Sequence, residues 1–304
     1  MIDAARSMDL VLPFTVGGGA FRGCLVRLSA AADAAIAGHA PHPAVGRLAG
    51  EALALAAALG SSLKFDGVIT VQTASDGPVP RIVADMTSAG GIRASLAVDE
   101  TRLAALLRAA AEPAFAALAG HGRMAITIDQ GEHTDRYQGI VALQGASLAE
   151  TAAAYFRQSE QIDTALTLAA APPADGFGWR AGGILLQRLP TDGAALSADE
   201  EADAWETARI LHASLTAHEL LDPALPAAEV LRRLFHASGL AVYAGSEVRF
   251  SCRCSRGRLA AVLAALPPAD LAAAAKDGVI EVTCDFCKTR YTFDPAAIES
   301  DKPA

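Results

Sequence analysis

Four of the five cysteines in this 304-residue chain fall within 36 positions near its C-terminal end, as Cys252-Arg253-Cys254 and Cys284-Asp285-Phe286-Cys287. Thiolate is a soft ligand. Two short-spaced pairs brought together by a fold supply the four tetrahedral positions that zinc prefers, with sulfur about 2.3 Å from the ion. In a reducing compartment, clustered cysteines are more often metal ligands or redox groups than structural disulfides. The spacing therefore predicts one zinc site built from Cys252, Cys254, Cys284 and Cys287, and it requires the chain between the pairs to fold back on itself.

The segment from Gly239 to Asp294 has roughly 55 residues, too few for its own core to hold it securely. Structural zinc contributes on the order of 10–16 kcal/mol of apparent binding free energy, comparable to or above the ~5–15 kcal/mol net stability of a whole domain. Removing the ion is expected to unfold the module. Thiolates are also the oxidisable form of cysteine, so an oxidant that turns ligands into disulfides releases the metal. The residues by themselves are equally compatible with a purely structural zinc site. Cys24, alone in an early strand after Arg22-Gly23, reads as a small buried residue.

Upstream the pattern is mixed. A 52% hydrophobic fraction with only 5% aromatic residues reflects heavy alanine use, which favours helices and blurs periodicity. Asp66-Gly67 precedes the alternating run Val68 to Thr73, Asp76-Gly77-Pro78 turns the chain, and Arg81 to Met86 returns it, an antiparallel meander. A second pair, Met124 to Asp129 and Tyr137 to Leu143, follows, and strands at Ala165 to Ala169 and Ile184 to Leu189 are expected to complete the sheet. Helices are predicted at Val45 to Leu59, Glu100 to Ala111 and Ala149 to Ser159, the last opened by a Ser147/Glu150 capping box. The fold class is α+β, an N-terminal mixed domain with antiparallel sheet and helices.

Composition shifts after Pro190-Thr191-Asp192-Gly193. From Thr191 to His236 nine acids face three bases. Ser197 with Glu200 is another capping box, and Trp205, Ala208, Leu211 and Leu215 recur at helical spacing until Asp222-Pro223. A second helix runs from about Pro226 to Phe235, closed by Ser238-Gly239. Three regions result: an N-terminal domain over residues 1–190, a helical linker over 191–236, and a zinc module over 237–295.

Net charge is −9 with pI about 5.3, which disfavours a protein that grasps nucleic-acid phosphates. Residues Met1 to Val16 carry acids at Asp3 and Asp9 and a short apolar run broken by Pro13, unlike a signal peptide, and the longest apolar stretches fall short of a membrane span. A cytoplasmic protein without a membrane segment is expected. Gly17-Gly18-Gly19 lacks the Gly-Lys-Ser/Thr of a phosphate loop, the histidines form no His-Glu-x-x-His pair, and no Gly-x-Ser-x-Gly elbow is present, so enzyme chemistry is not expected. Two rivals remain. A constitutive zinc module that binds nucleic acid or protein has the local cluster Arg253, Arg256 and Arg258 in its favour. A thiol-disulfide oxidoreductase using Cys284 and Cys287 lacks a thioredoxin-like context.

Taken in order, several short motifs resemble the redox-regulated chaperones called heat-shock protein 33. They are Leu63-Lys64-Phe65-Asp66-Gly67 with Ile69-Thr70-Val71-Gln72, Asp76-Gly77-Pro78, Arg136-Tyr137-Gln138-Gly139, Tyr155-Phe156 with Ser159-Glu160-Gln161, Ala181-Gly182-Gly183 with Leu186-Gln187, and the two cysteine pairs. The resemblance implies a chaperone that holds unfolding proteins without ATP under oxidative stress. It implies that the reduced zinc-bound form is inactive, and that oxidation joins Cys252 with Cys254 and Cys284 with Cys287, expels zinc and unfolds the linker. It further implies unfolded client proteins as partners and a homodimer when oxidised. Leu211, Leu215, Leu231 and Leu234 are the expected client-binding residues.

Overall fold

The computed structural model describes residues 8–39, 41–62, 66–131, 134–188 and 197–300. Leu63-Lys64-Phe65, the end of the expected strand at Leu189 and the turn at Pro190 to Gly193 lie outside them. Two compact units are present, Met1–Phe250 and Ser251–Ala304.

The first unit opens with β1 (Leu10–Val16) and β2 (Phe21–Leu28), joined by a 3-10 turn at Gly17–Gly19 in which all three glycines carry positive φ. The glycine run is thus a turn between strands. There follow α1 (Ala30–Ile36), α2 (Pro43–Ser62), and the meander β3 (Val68–Ser75), β4 (Arg81–Thr87) and β5 (Gly91–Ala97). Next come α3 (Glu100–Ala109), α4 (Phe115–Ala119), the hairpin β6 (Gly122–Asp129) and β7 (Tyr137–Ala142), α5 (Leu148–Tyr155), β8 (Thr164–Ala171) and β9 (Arg180–Arg188). Three helices, α6 (Ala198–Ala213), α7 (Ala217–Leu221) and α8 (Ala227–Phe235), precede three two-residue strands, β10 (Ala241–Val242), β11 (Ser246–Glu247) and β12 (Arg249–Phe250). The α+β class expected from the sequence is what the chain adopts.

Instead of one sheet there are two. The first runs β10-β1-β2-β9-β8, with β11 also on β1; the second runs β12-β5-β4-β3-β6-β7. β8 and β9 therefore do not complete the meander. β9 is buried on both faces along most of its length and takes β2 as its other partner, from Phe21↔Arg188 to Leu28↔Ala181. Such long-range pairing leaves no local mark in the sequence. The boundary expected at 236/237 also moves: β10 and β11 pair with β1 and β12 pairs parallel with β5, so residues 241–250 belong to the first unit.

α2 packs against strands of both sheets. Apart from Arg47, Glu51, Ser61 and Ser62 it is apolar, and among the described residues it is the one helix long and apolar enough to cross a membrane, but 78% of its apolar window is buried inside the protein. Its small residues let the layers close on it. A Cβ at Gly46 would lie 2.0 Å from the Trp179 ring, and one at Gly50 would lie 2.5 Å from the Ala170 Cβ. Seven buried alanines of the helix serve the same close packing.

The opposite, outer face of the first sheet carries Leu10, Leu12, Phe14, Phe21, Leu25, Ile184 and Leu186, and α6 to α8 cover it. Ten of the nineteen buried residues in this layer come from the linker, eight of them from its helices, which makes the linker half of a core. Phe235 stacks on Phe14 at 5.6 Å and Trp205 meets Phe21 at 5.3 Å. The linker has three helices where two are expected, because Thr216 and Glu219 form a second capping box that restarts the chain after Ser214.

Polar anchors fix the helices over this layer. Arg27, only 1% exposed, forms no ion pair among the described residues and donates to the backbone carbonyls of Glu219 at 2.8 Å, Asp222 at 3.0 Å, and Leu225. Burial brings its pKa down to about 10, so it stays charged at neutral pH. His212, also buried, has Nε2 3.2 Å from the Ile184 carbonyl, and burial holds its pKa below the ordinary 6.5. The docked state disfavours the imidazolium, so docking is strongest above about pH 6.5 and weakens as pH falls below it.

Arg27→Met is expected to weaken docking by on the order of 3 kcal/mol, since three carbonyls lose a charged donor. Trypsin cleavage at Arg209, Arg232 and Arg233 of the reduced protein should accelerate more than about tenfold; an unchanged rate would show that Arg27 holds nothing. Amide protection in α6, corrected for intrinsic exchange, should fall between pH 7 and 5.5 in the wild type and not in His212→Gln.

Candidate metal centre

The second unit is built from α9 (Arg256–Ala264), α10 (Pro268–Ala274), the hairpin β13 (Ile280–Thr283) and β14 (Arg290–Phe293), and α11 (Pro295–Ser300). Its buried core is five residues, Leu263, Leu271, Ile280, Phe293 and Ile298. So small a core is consistent with a module that needs a further crosslink.

Both cysteine pairs sit on backbone that the local sequence shapes. Cys252 and Cys254 precede α9, whose N-cap Ser255 accepts from the Arg258 N–H while the Arg258 guanidinium donates to the Arg253 carbonyl at 2.7 Å. Cys284 and Cys287 occupy the β13–β14 turn. There the Cys284 N–H donates to the Thr289 carbonyl, the Lys288 N–H donates to the Cys284 carbonyl, both at 2.9 Å, and Lys288 takes a left-handed φ of 57°. The tightness of the turn is what brings two sulfurs to one side.

All four Sγ atoms lie within 4.8 Å of one another. Cys252 and Cys284 are 3.7 Å apart, Cys254 and Cys287 3.4 Å. A tetrahedron of sulfurs about 2.3 Å from a central ion has edges of about 3.8 Å, so the cluster has the dimensions of a four-thiolate zinc site. All four are free thiols, as is Cys24. Cys24 is packed in the core between sheet and α2, its thiol 3.6 Å from the Ala58 carbonyl and its pKa pushed up by burial.

The sulfurs differ electrostatically when no metal is bound. Burial, reinforced by neighbouring thiols, pushes Cys254 up to about 12, and burial also raises Cys284. At Cys287 burial works against the thiolate, but hydrogen bonding with the Thr289 side chain and backbone and with Cys254 outweighs it and brings the pKa down to about 6. Thr289 Oγ1 is 3.2 Å from Cys287 Sγ and the Tyr291 hydroxyl 3.2 Å from Cys254 Sγ. Neither residue is evident from cysteine spacing. Tyr291 could have been found from the alternation of β14, which turns Tyr291 and Phe293 inward and Arg290 and Thr292 outward.

Comparison with known proteins bears on the whole chain. The family model described as Hsp33 protein matches residues 9–294. A 33 kDa chaperonin of Caulobacter vibrioides is 38% identical over 290 residues, covering 94% of this chain and 95% of the relative. One from Shewanella loihica is 35% identical, covering 97% and 96%. The chain belongs to the Hsp33 family. In keeping with this, the crystal structure of the 33 kDa chaperonin, a heat shock protein 33 homolog, from Thermotoga maritima matches with a TM-score of 0.79 at 25% identity, over 97% of each chain. Membership supports a chaperone function for this chain.

Of the residues expected to bind clients, Leu231 is fully buried, Leu215 is 8% exposed, and Leu211 and Leu234 are partly buried against the same apolar layer.

The reduced protein is expected to bind one zinc per chain. Replacing Cys254 or Cys287 by serine should weaken binding at least about 100-fold in competition with a chromogenic chelator. Tyr291→Phe should cost roughly tenfold as a neighbour of a ligand. Because each thiol must lose its proton to bind, affinity should fall as pH drops from 7 to 5; pH-independent retention would point to other ligands.

Proposed function

We propose that this chain is a redox-regulated holdase, a cytoplasmic chaperone that binds unfolding proteins without ATP under oxidative stress. The observation that carries this reading is the pairing of two features in one chain: a four-thiol cluster with zinc-site dimensions, and an apolar sheet face covered by separate helices. In the reduced state Cys252, Cys254, Cys284 and Cys287 would hold one zinc ion, which supplies the crosslink that the small core lacks.

Hydrogen peroxide reacts with thiolate. One thiolate sulfur attacks a peroxide oxygen and breaks the O–O bond, giving a sulfenic acid and hydroxide; its neighbour then attacks that sulfur, forms the disulfide and expels a second hydroxide. On this reading Cys252 joins Cys254 and Cys284 joins Cys287, at two peroxides per chain, and the metal is released. The module then loses its fold. Residues 241–250, which lead into Cys252, are held by three strands of two residues each and would come free with it. Undocking of α6 to α8 would expose Leu211, Leu215, Leu231 and Leu234 together with the sheet face beneath, and that apolar surface would hold clients and support a homodimer.

The rival nucleic-acid module finds little support, since Arg256 lies over the Phe293 ring at 4.7 Å and Arg258 is engaged with the Arg253 carbonyl. No nucleic acid, membrane or catalysed reaction forms part of the proposal.

Peroxide treatment at elevated temperature, with zinc read by a chromogenic chelator beside light scattering of an aggregating client, tests it. Stoichiometric release that tracks the onset of client protection is expected. Zinc retained throughout, or released without protection, would leave a structural metal site and sink the switch.

A further inference from the structure

The covered face of the first sheet is not simply apolar. Strands β1, β2, β8 and β9 contain no Asp or Glu, and three arginines of β2 and β9 are engaged with the linker. Arg27 donates to the carbonyls of Glu219, Asp222 and Leu225. Arg180 donates to the Leu221 carbonyl at 3.2 Å. Arg188 pairs with the Glu201 carboxylate at 2.8 Å. They share the side of the sheet that carries Phe21, Leu25, Ile184 and Leu186, since side chains alternate along a strand.

The segment that occupies this face has a matching character. Between Ala198 and Phe235 there are eight acids and three bases, interleaved with Trp205, Leu215, Leu220, Leu231 and Phe235. Once the linker leaves, three guanidiniums stand in an apolar surface with no carboxylate on their own strands. Arginine offers bidentate donors, and a charge-assisted bond made beside apolar side chains is stronger than one made in open water.

We infer that the exposed face selects unfolded segments in which acidic residues alternate with large apolar ones, and that the linker occupies it as an internal stand-in for such a client. This rests on the holdase reading above and adds the chemical class of its partner. The chain as a whole carries −9, so its long-range field would draw basic segments. A preference for acidic ones therefore reports the local face.

The test uses the full chain, oxidised with peroxide and freed of zinc, and three fluorescein-labelled unstructured peptides of equal leucine and phenylalanine content, with glutamate, lysine or glutamine between. By anisotropy, the acidic peptide should bind about tenfold more tightly than the basic one. That ratio should shrink in 0.5 M salt and fall to within about twofold in the Arg180→Gln/Arg188→Gln double variant. These two sites are chosen because both are less buried than Arg27. Equal binding of acidic and basic peptides, tighter binding of the basic one, or an acidic preference untouched by the double variant would each overturn the inference while leaving the holdase reading standing. If none of the three peptides binds, the holdase reading fails and takes the inference with it.

Discussion

An apolar sheet face has to be covered, and here the cover is a separate piece of chain. The outer side of the first sheet presents leucines, phenylalanines and Ile184, and the linker supplies half of the buried layer above them. Burial of that size is worth far more than any single hydrogen bond in the linker. The helices are nevertheless acidic. Their hold depends on an apolar stripe, on Arg27 at the carbonyls of Glu219, Asp222 and Leu225, and on the contacts of Arg180 with the Leu221 carbonyl and Arg188 with Glu201.

The second unit stands at the other extreme of stability. Five buried apolar residues cannot offset the ordering of more than 50 residues, whereas four thiolates around one ion can. On the proposed reading its fold is conditional on the chemical state of four sulfur atoms. On that reading, the short edge strands just before Cys252 would pass oxidation on as loss of docking. Cys24 lies apart from that cluster, buried in the core of the first unit, where burial raises its pKa.

Legibility in the sequence followed the range of the interactions. The cysteine cluster was legible because ligand spacing is itself the chemical requirement, and the meander was legible from Asp-Gly turns and alternation. The capping box at Ser197 located α6, while the equivalent signal at Thr216 and Glu219, equally present, marks a break that the apolar spacing of Leu211 and Leu215 hides. What could not be read locally was the pairing of β2 with β9, some 160 positions apart, and hence the division into two sheets. Nor does the sequence distinguish a buried anchor such as Arg27 from a surface arginine, because its partners are backbone carbonyls that carry no residue-specific mark.

The proposed switch requires that the state of the four thiols control the cover on the sheet. Hydrogen exchange resolved by segment, compared between the reduced zinc-loaded protein and the oxidised zinc-free protein, measures this directly. Loss of protection in α6 to α8 and on the outer-facing strands β1, β2 and β9, with α2, β3 and β4 unchanged, is the predicted result. Full protection of α6 to α8 after both disulfides have formed and zinc has left would contradict it.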